Sequence, residues 1–518
     1  MTARPRWYRY AAATVVATLI ALIPLPAQAA DSYVPISGSG STWSQNALDQ
    51  WRKNVAANYG MTVNYSGTGS SAGRADFIKS TVDFAISEIP FQTQVTADNP
   101  TPEQGMPPFA YMPIVAGGTS LMYNLKIAGK QVTNLRLSGE VIAKIFSGAI
   151  TTWNDAAIQA DNPALAMPDK PITPVVRSDG SGTTAQFTLW MSKQFPGVWT
   201  TGMTSQFPAL GGAFKAQSGS LGVAGYVSQN YGEGAITYVE YSYALKSGFP
   251  VAKVLNQAGY YVEPTYQSVA VALMGAAINS DLTQNLDGVY NNADARSYPM
   301  SSYSYMIVPT ATNSVFTTEK GKTLSRFADY MICEGQQQAS ALGYSPLPMN
   351  LVQAASDVIR SIPGSVGGVD FNSCNNPTFK PGDSPSNNQL AATAPMPADC
   401  DKRGTTQCAT GTGGALVDTP VTGSGGSGQA SSGGGAADAA ASTDGVTAAA
   451  GSSEPVYDAN GNLVSGASAG GAKAMSSPFT LASDGWGVPQ ITMLVAGALL
   501  VAAIVLPPLV SRRLRGRK

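Results

Sequence analysis

Short apolar runs and segments of helical periodicity alternate along residues 33–362. Four of the apolar runs are short enough for buried strands: 33–37, 62–65, 82–86 and 174–177. Three of them lead into loops rich in Gly, Ser and Thr, and apolar residues at helical spacing follow each loop. This alternation predicts an α/β fold with largely parallel sheets, in which ligands bind beyond the carboxyl ends of the strands.

Longer elements are predicted elsewhere in the same region. Apolar strands at 113–125 and 298–309 are candidate crossovers between two lobes. Helices are predicted at 138–146, 324–341 and 350–361. The stretch from 197 to 225 is predicted to be mostly loop.

The loop after the fourth strand is the main candidate for a ligand contact. Arg177 places a cation ahead of Ser181, Gly182 and Thr183, where a helix is predicted to begin. A helix N-terminus offers unpaired backbone N–H groups and a partial positive charge, and Ser and Thr add hydroxyl donors. Asp179 is placed to orient the guanidinium. In isolation these residues also describe an ordinary capped turn, so the prediction depends on matching loops.

Two matching loops precede it. Thr42 and Trp43 stand where the first loop enters its helix, and Ser70 stands in the second loop. The Trp43 ring is predicted to lie in the core, with only its backbone facing a ligand, and Ser70 has the alternative role of a helix N-cap. Three helix N-termini converging on one point, together with one arginine, predict a cage that holds an oxyanion mostly with neutral donors.

The amino-acid composition excludes several kinds of catalytic and metal site. The chain has no histidine, which excludes Ser-His-Asp and Cys-His nucleophiles and His-ligated zinc. The net charge of −1 lacks the excess of positive charge that is typical of nucleic-acid-binding proteins. We therefore expect a protein that is not an enzyme and needs no cofactor or metal.

Both ends of the chain carry predicted membrane signals. Residues 1–30 are predicted to be a signal peptide, with basic residues, an apolar stretch and an A-x-A site at 27–29. Residues 491–510 contain no charge and are long enough to span a bilayer, and the basic tail at 511–518 is predicted to be cytoplasmic. The expected topology is a single-pass protein of the cell membrane with its binding domain outside.

The segment between the predicted domain and the span is rich in Gly, Ala, Ser and Pro. It is predicted to be a low-complexity, flexible linker at 376–485, following a binding domain at 31–375. Four cysteines allow three pairings, and an exported chain should oxidise them. The favoured pairing is Cys333–Cys374 with Cys400–Cys408. The scattered spacing of the four cysteines argues against a four-cysteine metal site.

Taken together, these motifs resemble the PstS-like phosphate-binding proteins of ABC transporters, which have the periplasmic-binding-protein type II fold. The resemblance covers residues 34–362. It is carried by G-S-G-S-T-W at 38–43, N-Y-S-G-T-G-S-S at 64–71, V-D-F-A-I-S-E at 82–88, R-S-D-G-S-G-T-T at 177–184 and G-Y-S-P-L-P at 343–348. It implies two lobes joined by two crossover strands, with lobe one near 33–115 and 300–365 and lobe two near 116–299.

The resemblance also implies a phosphate site. Its members would be Thr42, Trp43, Ser70, Glu88, Arg177, Ser181, Gly182 and Thr183, with Asp179 supporting the arginine. The family has Asp where this chain has Glu88, a carboxylate that accepts a hydrogen bond from protonated phosphate and rejects unprotonated sulfate. The extra methylene shifts the oxygens by ~1.5 Å. Phosphate is the favoured ligand, with another oxyanion or loss of tight binding as alternatives.

The expected function is therefore capture of inorganic phosphate by lobe closure, followed by delivery to the permease subunits of an ABC transporter. The alternative is a surface-tethered sensor or interaction protein that uses the same fold.

Overall fold

The computed structural model describes residues 32–94, 101–384 and 386–415, together with the backbone of 456–457 and 463–465. The predicted signal peptide and the predicted span at 491–510 lie outside these residues. Among the helices of the described residues, none has the length and apolar character needed to cross a membrane.

Strands and helices alternate from the first described residues. The first part of the chain contains β1 (Ile36–Gly40), α1 (Gln45–Tyr59), β2 (Val63–Ser66), α2 (Ser70–Ile78), β3 (Phe84–Ser87), β4 (Phe109–Tyr123), β5 (Lys126–Ile127), β6 (Lys130–Gln131), β7 (Arg136–Leu137), α3 (Gly139–Phe146), α4 (Ala156–Asp161), β8 (Thr173–Arg177), α5 (Gly182–Gln194), β9 (Lys215–Gln217) and α6 (Gly219–Ser228).

The second part continues in the same way. It contains β10 (Ala235–Glu240), α7 (Tyr241–Ser247), β11 (Lys253–Leu255), β12 (Tyr261–Val262), α8 (Tyr266–Leu273), β13 (Ala277–Ile278), β14 (Gln284–Asn285), α9 (Asp287–Tyr290), β15 (Ser301–Pro309), α10 (Thr318–Ile332), α11 (Ala339–Leu342), α12 (Met349–Ser361), α13 (Gln389–Thr393), β16 (Val456–Tyr457) and β17 (Leu463–Ser465).

One sheet of eight strands, in the order β2-β1-β3-β15-β4-β10-β8-β9, organises the molecule. At one end β1 is parallel to β2 and β3, and at the other β8 is parallel to β9 and β10. Between them β4 and β15 are antiparallel to each other and to their outer neighbours, β10 and β3. The mixed α/β fold is therefore confirmed, and the two halves of the sheet meet at the β4–β15 pair.

The β4–β15 pair is also the buried centre of the molecule. All nine residues of β15 are buried, as are the last thirteen of the fifteen residues of β4. Strands covered on both faces read as continuous apolar runs, which is the pattern that predicted long strands at 113–125 and 298–309. The Trp43 side chain is fully buried. Its ring packs closely on β4, since a Cβ added to Gly117 would lie 2.7 Å from it.

One predicted helix needs correction, and one stretch that is mostly loop, as predicted, also contains two elements that were not expected. The helix expected at 324–341 is α10, which begins at Thr318 because Thr317 caps it, and it ends at Ile332, where the backbone of Cys333 leaves helical geometry. The stretch expected to be mostly loop at 197–225 contains β9 and most of α6. Its small residues, which indicated a loop, instead begin a helix at Gly219.

The start of the linker also needs correction. We predicted a flexible linker from residue 376, but residues up to 415 are folded against the rest of the domain. The buried ammonium of Lys253 pairs with Asp401 at 2.7 Å, Asn134 donates to the carbonyl of Cys408 at 2.7 Å, and Thr412 donates to the carbonyl of Thr133 at 3.1 Å. Composition could not show this, because two of these contacts use backbone carbonyls and the third joins charged residues far apart in sequence.

Two disulfides accompany this segment, in the favoured pairing. Cys333 joins Cys374 and Cys400 joins Cys408. The first ties the chain to the end of α10, which packs on α1 and β1 in one half of the sheet. The second closes the short loop that carries Asp401. Residues 374–415 therefore run from one half of the domain to the other.

The Lys253–Asp401 pair provides a test of this packing. Replacing Lys253 with Ala leaves a carboxylate unpaired in a site where both side chains are about one-tenth exposed. We expect the free energy of unfolding in urea to fall by about 3 kcal/mol. Lys402→Ala, at an exposed neighbouring position, is the control and should change it little. Equal effects of the two substitutions would show that residues 386–415 do not pack as described.

Candidate anion-binding site

The candidate site lies where the N-termini of four helices meet. Helix α1 follows β1, α2 follows β2, α5 follows β8 and α6 follows β9. The strands within each half are parallel, so the carboxyl ends of β1 and β2 lie together, as do those of β8 and β9. The two halves run in opposite directions, and their carboxyl ends point toward the middle of the β4–β15 pair, where Ser87 of β3 stands opposite Tyr305 and Glu240 of β10 stands opposite Thr119. Each helix N-terminus adds backbone N–H donors and a partial positive charge.

Thr42 and Trp43 occupy the turn between β1 and α1. The Thr42 hydroxyl lies 2.9 Å from the Ser220 hydroxyl and accepts a hydrogen bond from the backbone N–H of Ser220 at 3.0 Å. The Trp43 backbone N–H donates to the Ser41 hydroxyl at 2.9 Å, and its indole N–H donates to Thr119 at 3.3 Å. Thr42 thus reaches the other half of the sheet, while the Trp43 ring is part of the core.

Ser70 and Glu88 form the second wall. Ser70 is the first residue of α2, and its hydroxyl donates to Glu88 Oε2 at 2.9 Å. The other carboxylate oxygen of Glu88, Oε1, accepts a hydrogen bond from the Ser304 hydroxyl at 2.9 Å. Both side chains are buried, Ser70 at 1% exposed and Glu88 at 0%. The carboxylate is an acceptor placed among donors.

Arg177 is the last residue of β8 and is buried. Its Nε donates to Asp179 Oδ1 at 2.7 Å and its Nη2 donates to Asp179 Oδ2, so the pairing is bidentate. The remaining nitrogen, Nη1, lies 3.4 Å from the Ser220 hydroxyl and 3.5 Å from the Thr183 hydroxyl. A bidentate pair fixes the plane of the guanidinium, so Asp179 directs Nη1 toward these hydroxyls.

The third predicted loop supplies Ser181, Gly182 and Thr183. The Ser181 hydroxyl caps α5 by accepting from the backbone N–H of Thr184 at 3.1 Å. The backbone N–H of Gly182 donates to the Ser70 hydroxyl at 3.1 Å. A Cβ at position 182 would lie 2.2 Å from Glu88 Oε2, so only glycine permits this approach of the two walls.

Hydrogen bonds close the site from both halves of the sheet. Besides the Thr42–Ser220 and Gly182–Ser70 contacts, the backbone N–H of Ser71 donates to the carbonyl of Gly180 at 3.1 Å. Gln186 Nε2 donates to the carbonyl of Glu88 at 2.7 Å. The predicted residues from the three loops and Glu88 are therefore brought together in one buried place, in a closed arrangement of the two halves.

The sequence did not identify three residues of this place, namely Ser220, Ser304 and Ser44. Ser220 stands at the start of α6, and its loop, Q-S-G-S-L-G at 217–222, has the same Gly/Ser pattern as the other three. That pattern could have revealed it. Ser304 lies inside a buried strand and gave no such signal.

The pKa values of the two carboxyl groups of the site, Glu88 and Asp179, are shifted in opposite directions. Burial raises the pKa of Glu88, and the hydrogen bonds from Ser41, Ser70 and Ser304 and the charge of Arg177 only partly offset it. Burial alone would also raise the pKa of Asp179, but its hydrogen bonds and charge interaction with Arg177 hold that pKa below its usual value. Asp179 therefore keeps its charge to lower pH, and the protonation of Glu88 is the variable one.

The groups around the site are mostly hydrogen-bond donors. Across residues 32–94, 101–384 and 386–415, no group of three or more Cys, Asp or Glu side chains is arranged to bind a metal ion. The concentration of N–H and O–H donors around one cation instead favours an anion.

Comparison with known proteins identifies the family. A family model described as a PBP superfamily domain matches residues 12–334, which is more than half of the chain, and this defines the class of protein. The phosphate-binding protein PstS of Xylella fastidiosa is 35% identical over 326 residues, covering 62% of this chain and 83% of that protein.

Other relatives are similar to the same region. Phosphate-binding protein PstS 2 of Mycobacterium tuberculosis is 31% identical over 332 residues, covering 63% of this chain and 87% of that protein. A solved structure of a periplasmic phosphate-binding protein with bound phosphate has a TM-score of 0.48 and 22% identity, covering 62% of this chain and 93% of that one. On the family-model match and the sequence relatives, the chain belongs to the PstS-like family of the PBP superfamily.

The Arg177–Asp179 pair predicts part of the acid sensitivity of the protein. Because the pKa of Asp179 is lowered by folding, its contribution to stability is present above the unfolded pKa and is lost as pH falls through the folded pKa. In urea unfolding measured from pH 6 down to pH 3, Asp179→Asn should lose less stability than the wild type. Asp399→Asn, at an exposed position, should follow the wild-type curve. A wild-type slope in Asp179→Asn would contradict the assignment.

Proposed function

We propose that this chain is an extracytoplasmic solute-binding protein that captures inorganic phosphate between the two halves of its PBP domain and delivers it to an ABC permease. One observation carries the proposal: a buried carboxylate, Glu88, stands among the donors of an anion site. Such a site favours an anion that brings a proton of its own, because an unprotonated anion would place a lone pair against the carboxylate. Phosphate carries that proton near neutral pH and sulfate does not.

We propose a role for each residue of the site from its hydrogen-bond partners. Arg177 Nη1 would supply the single positive charge, with Asp179 holding its plane. The hydroxyl groups of Thr42, Ser70, Ser181 and Thr183 and the backbone N–H of Gly182 would donate to the remaining oxygens. The Trp43 backbone N–H would join them only by leaving the Ser41 hydroxyl. The relatives named above support phosphate as the ligand, since each is named for binding it.

Hinge closure would provide capture and release. The two lobes are proposed to be residues 33–115 with 300–365 and residues 116–299, joined by β4 and β15. Opening would separate Thr42 from Ser220 and Ser70 from Gly182, which exposes the donors to solvent. Closing around the anion replaces its hydration shell with these donors. The family is one of substrate-binding transport proteins, and we propose that this chain likewise has no enzymatic activity.

The attachment to the membrane remains part of the proposal. The uncharged stretch at 491–510 would hold the protein in the cell membrane, with the basic tail inside and the binding domain outside. The folded part now extends to residue 415, so the Gly- and Ala-rich tether would run from there to the span.

The first test is anion binding by the purified full chain. Calorimetry on protein stripped of endogenous ligand should show heat with phosphate and none with sulfate at pH 7. Arg177→Ala should weaken phosphate binding by about a hundredfold or more, because it removes the charge-assisted donor.

Arg296 provides the matched control for that substitution. It forms the same type of bidentate pair with Asp294, at 2.9 and 2.7 Å, away from the site. Arg296→Ala should leave phosphate affinity unchanged. No phosphate heat with the wild type, or an unchanged affinity in Arg177→Ala, would refute the proposal.

The second test is steric. Gly182→Ala would place a methyl group 2.2 Å from Glu88 Oε2 and 2.5 Å from the Ser70 hydroxyl, so the halves could close only with distortion. Phosphate affinity should fall by about ten- to a hundredfold. Gly225→Ala is the control, because a Cβ there meets nothing within 4 Å. Normal affinity in Gly182→Ala would show that the ligand does not lie between these walls.

A further inference from the structure

The two oxygens of the Glu88 carboxylate have different surroundings. Oε2 accepts from Ser70 at 2.9 Å and faces the opposite half of the sheet, where a Cβ on Gly182 would lie 2.2 Å away. Oε1 accepts from Ser304 at 2.9 Å and faces the strand β15. Ser304 therefore contacts the oxygen that is turned away from the opposite wall.

An irregularity in the sheet lies beside Ser304. In the β15–β4 pairing, Ser304 stands opposite Val115 and the next residue, Tyr305, stands opposite Pro113, so Ile114 is an extra residue in β4. Gln336 donates to the carbonyl of Ile114 at 2.9 Å and satisfies it. Bulges of this kind redirect side chains next to functional sites. The register of the central pair thus changes at the residue that contacts Glu88.

A second serine, Ser44, contacts Ser304. The Ser44 hydroxyl lies 3.0 Å from the Ser304 hydroxyl, and both side chains are fully buried. Ser44 stands at the N-cap of α1, but its side chain makes no capping bond there. The Ser304 hydroxyl is the donor in both contacts, to Glu88 Oε1 and to the Ser44 hydroxyl, and it has one proton to give. Ser44 therefore competes with Glu88 for that proton.

We infer that Ser304 is a positioning residue for Glu88: it holds Oε1 so that Oε2 faces the bound anion, and it thereby sets the preference for a protonated over an unprotonated oxyanion. The inference rests on the proposed phosphate-binding function. Glu has one more rotatable bond than Asp, and a hydrogen bond to the far oxygen restricts that added freedom.

The charges around Glu88 give the direction of the effect. Arg177 faces it from β8 and Tyr65 from β2, and the pKa of Tyr65 is raised by burial and then by the charge of Glu88. The hydrogen bond from Ser304 stabilises the ionised form of Glu88. Without that donor, the carboxyl group takes up its proton at higher pH. A protonated Glu88 can donate to an unprotonated oxygen, so sulfate is then no longer rejected.

The test compares phosphate and sulfate binding by the full chain between pH 8 and pH 5. In the wild type, sulfate binding should appear only as pH falls through the protonation of Glu88. In Ser304→Ala that onset should move upward by about one pH unit, since a hydrogen bond to a charged group is lost. The phosphate-to-sulfate affinity ratio at pH 7 should fall by about tenfold.

Ser302→Ala is the matched control. Ser302 lies on the same strand and is buried, but its hydroxyl has no hydrogen-bond partner among the residues that the structure describes. This variant should keep the wild-type onset and ratio. Phosphate binding by the wild type with an unchanged onset and ratio in Ser304→Ala would overturn the inference alone. Failure of the wild type to bind phosphate would overturn the proposed function and the inference with it.

A second variant covers the case in which Ser304→Ala does not fold. Ser44→Ala removes the competing acceptor of the Ser304 proton, so it should move the sulfate onset to lower pH, opposite to Ser304→Ala and by a smaller amount. Thermal unfolding of both variants identifies loss of structure. A folded Ser44→Ala protein with the wild-type onset would overturn the inference.

Discussion

The buried carboxylate of Glu88 is the constraint on which the site depends. Around it the structure gathers helix N-termini, hydroxyl groups and one guanidinium, all of which donate hydrogen bonds. A negative charge in such a place is costly unless it is paired or hydrogen-bonded. Hydrogen bonds from Ser41, Ser70 and Ser304 reduce that cost, but burial outweighs them and raises the pKa of Glu88. In the proposed function, this carboxylate is the group that distinguishes protonated from unprotonated anions.

The fold delivers these groups from both halves of one sheet. Thr42 lies in the turn between β1 and its helix, and Ser70 begins the helix that follows β2. Gly182 and Ser220 lie at the start of the helices that follow β8 and β9. The antiparallel pair β4–β15 lies between the halves and carries Ser304, which contacts Glu88. The segment from Cys374 to residue 415 links the halves a second time, through a disulfide at one end and the Lys253–Asp401 pair at the other.

Much of the fold and of the site could be predicted from sequence, for local reasons. The loops at Thr42, Ser70 and Ser181 are recognisable because small residues at a strand–helix junction have few other roles, and Arg177 stands next to one of them. Ser304 could not be predicted, because its role depends on strand register and on a bulge at Ile114. Residues 386–415 were misjudged as linker, since their polar composition hides contacts made through backbone carbonyls to Asn134 and Arg136.

The central claim is that the site selects a tetrahedral anion that carries a proton. Arsenate is protonated near neutral pH as phosphate is, whereas selenate is unprotonated as sulfate is, and the two elements have separate X-ray absorption edges. Crystals of the protein grown at pH 7 with equal concentrations of both anions would show by anomalous scattering which one is bound. The account predicts arsenic within hydrogen-bonding reach of Glu88 Oε2 and Arg177 Nη1, without selenium. Selenium at that position, or neither element, would contradict it.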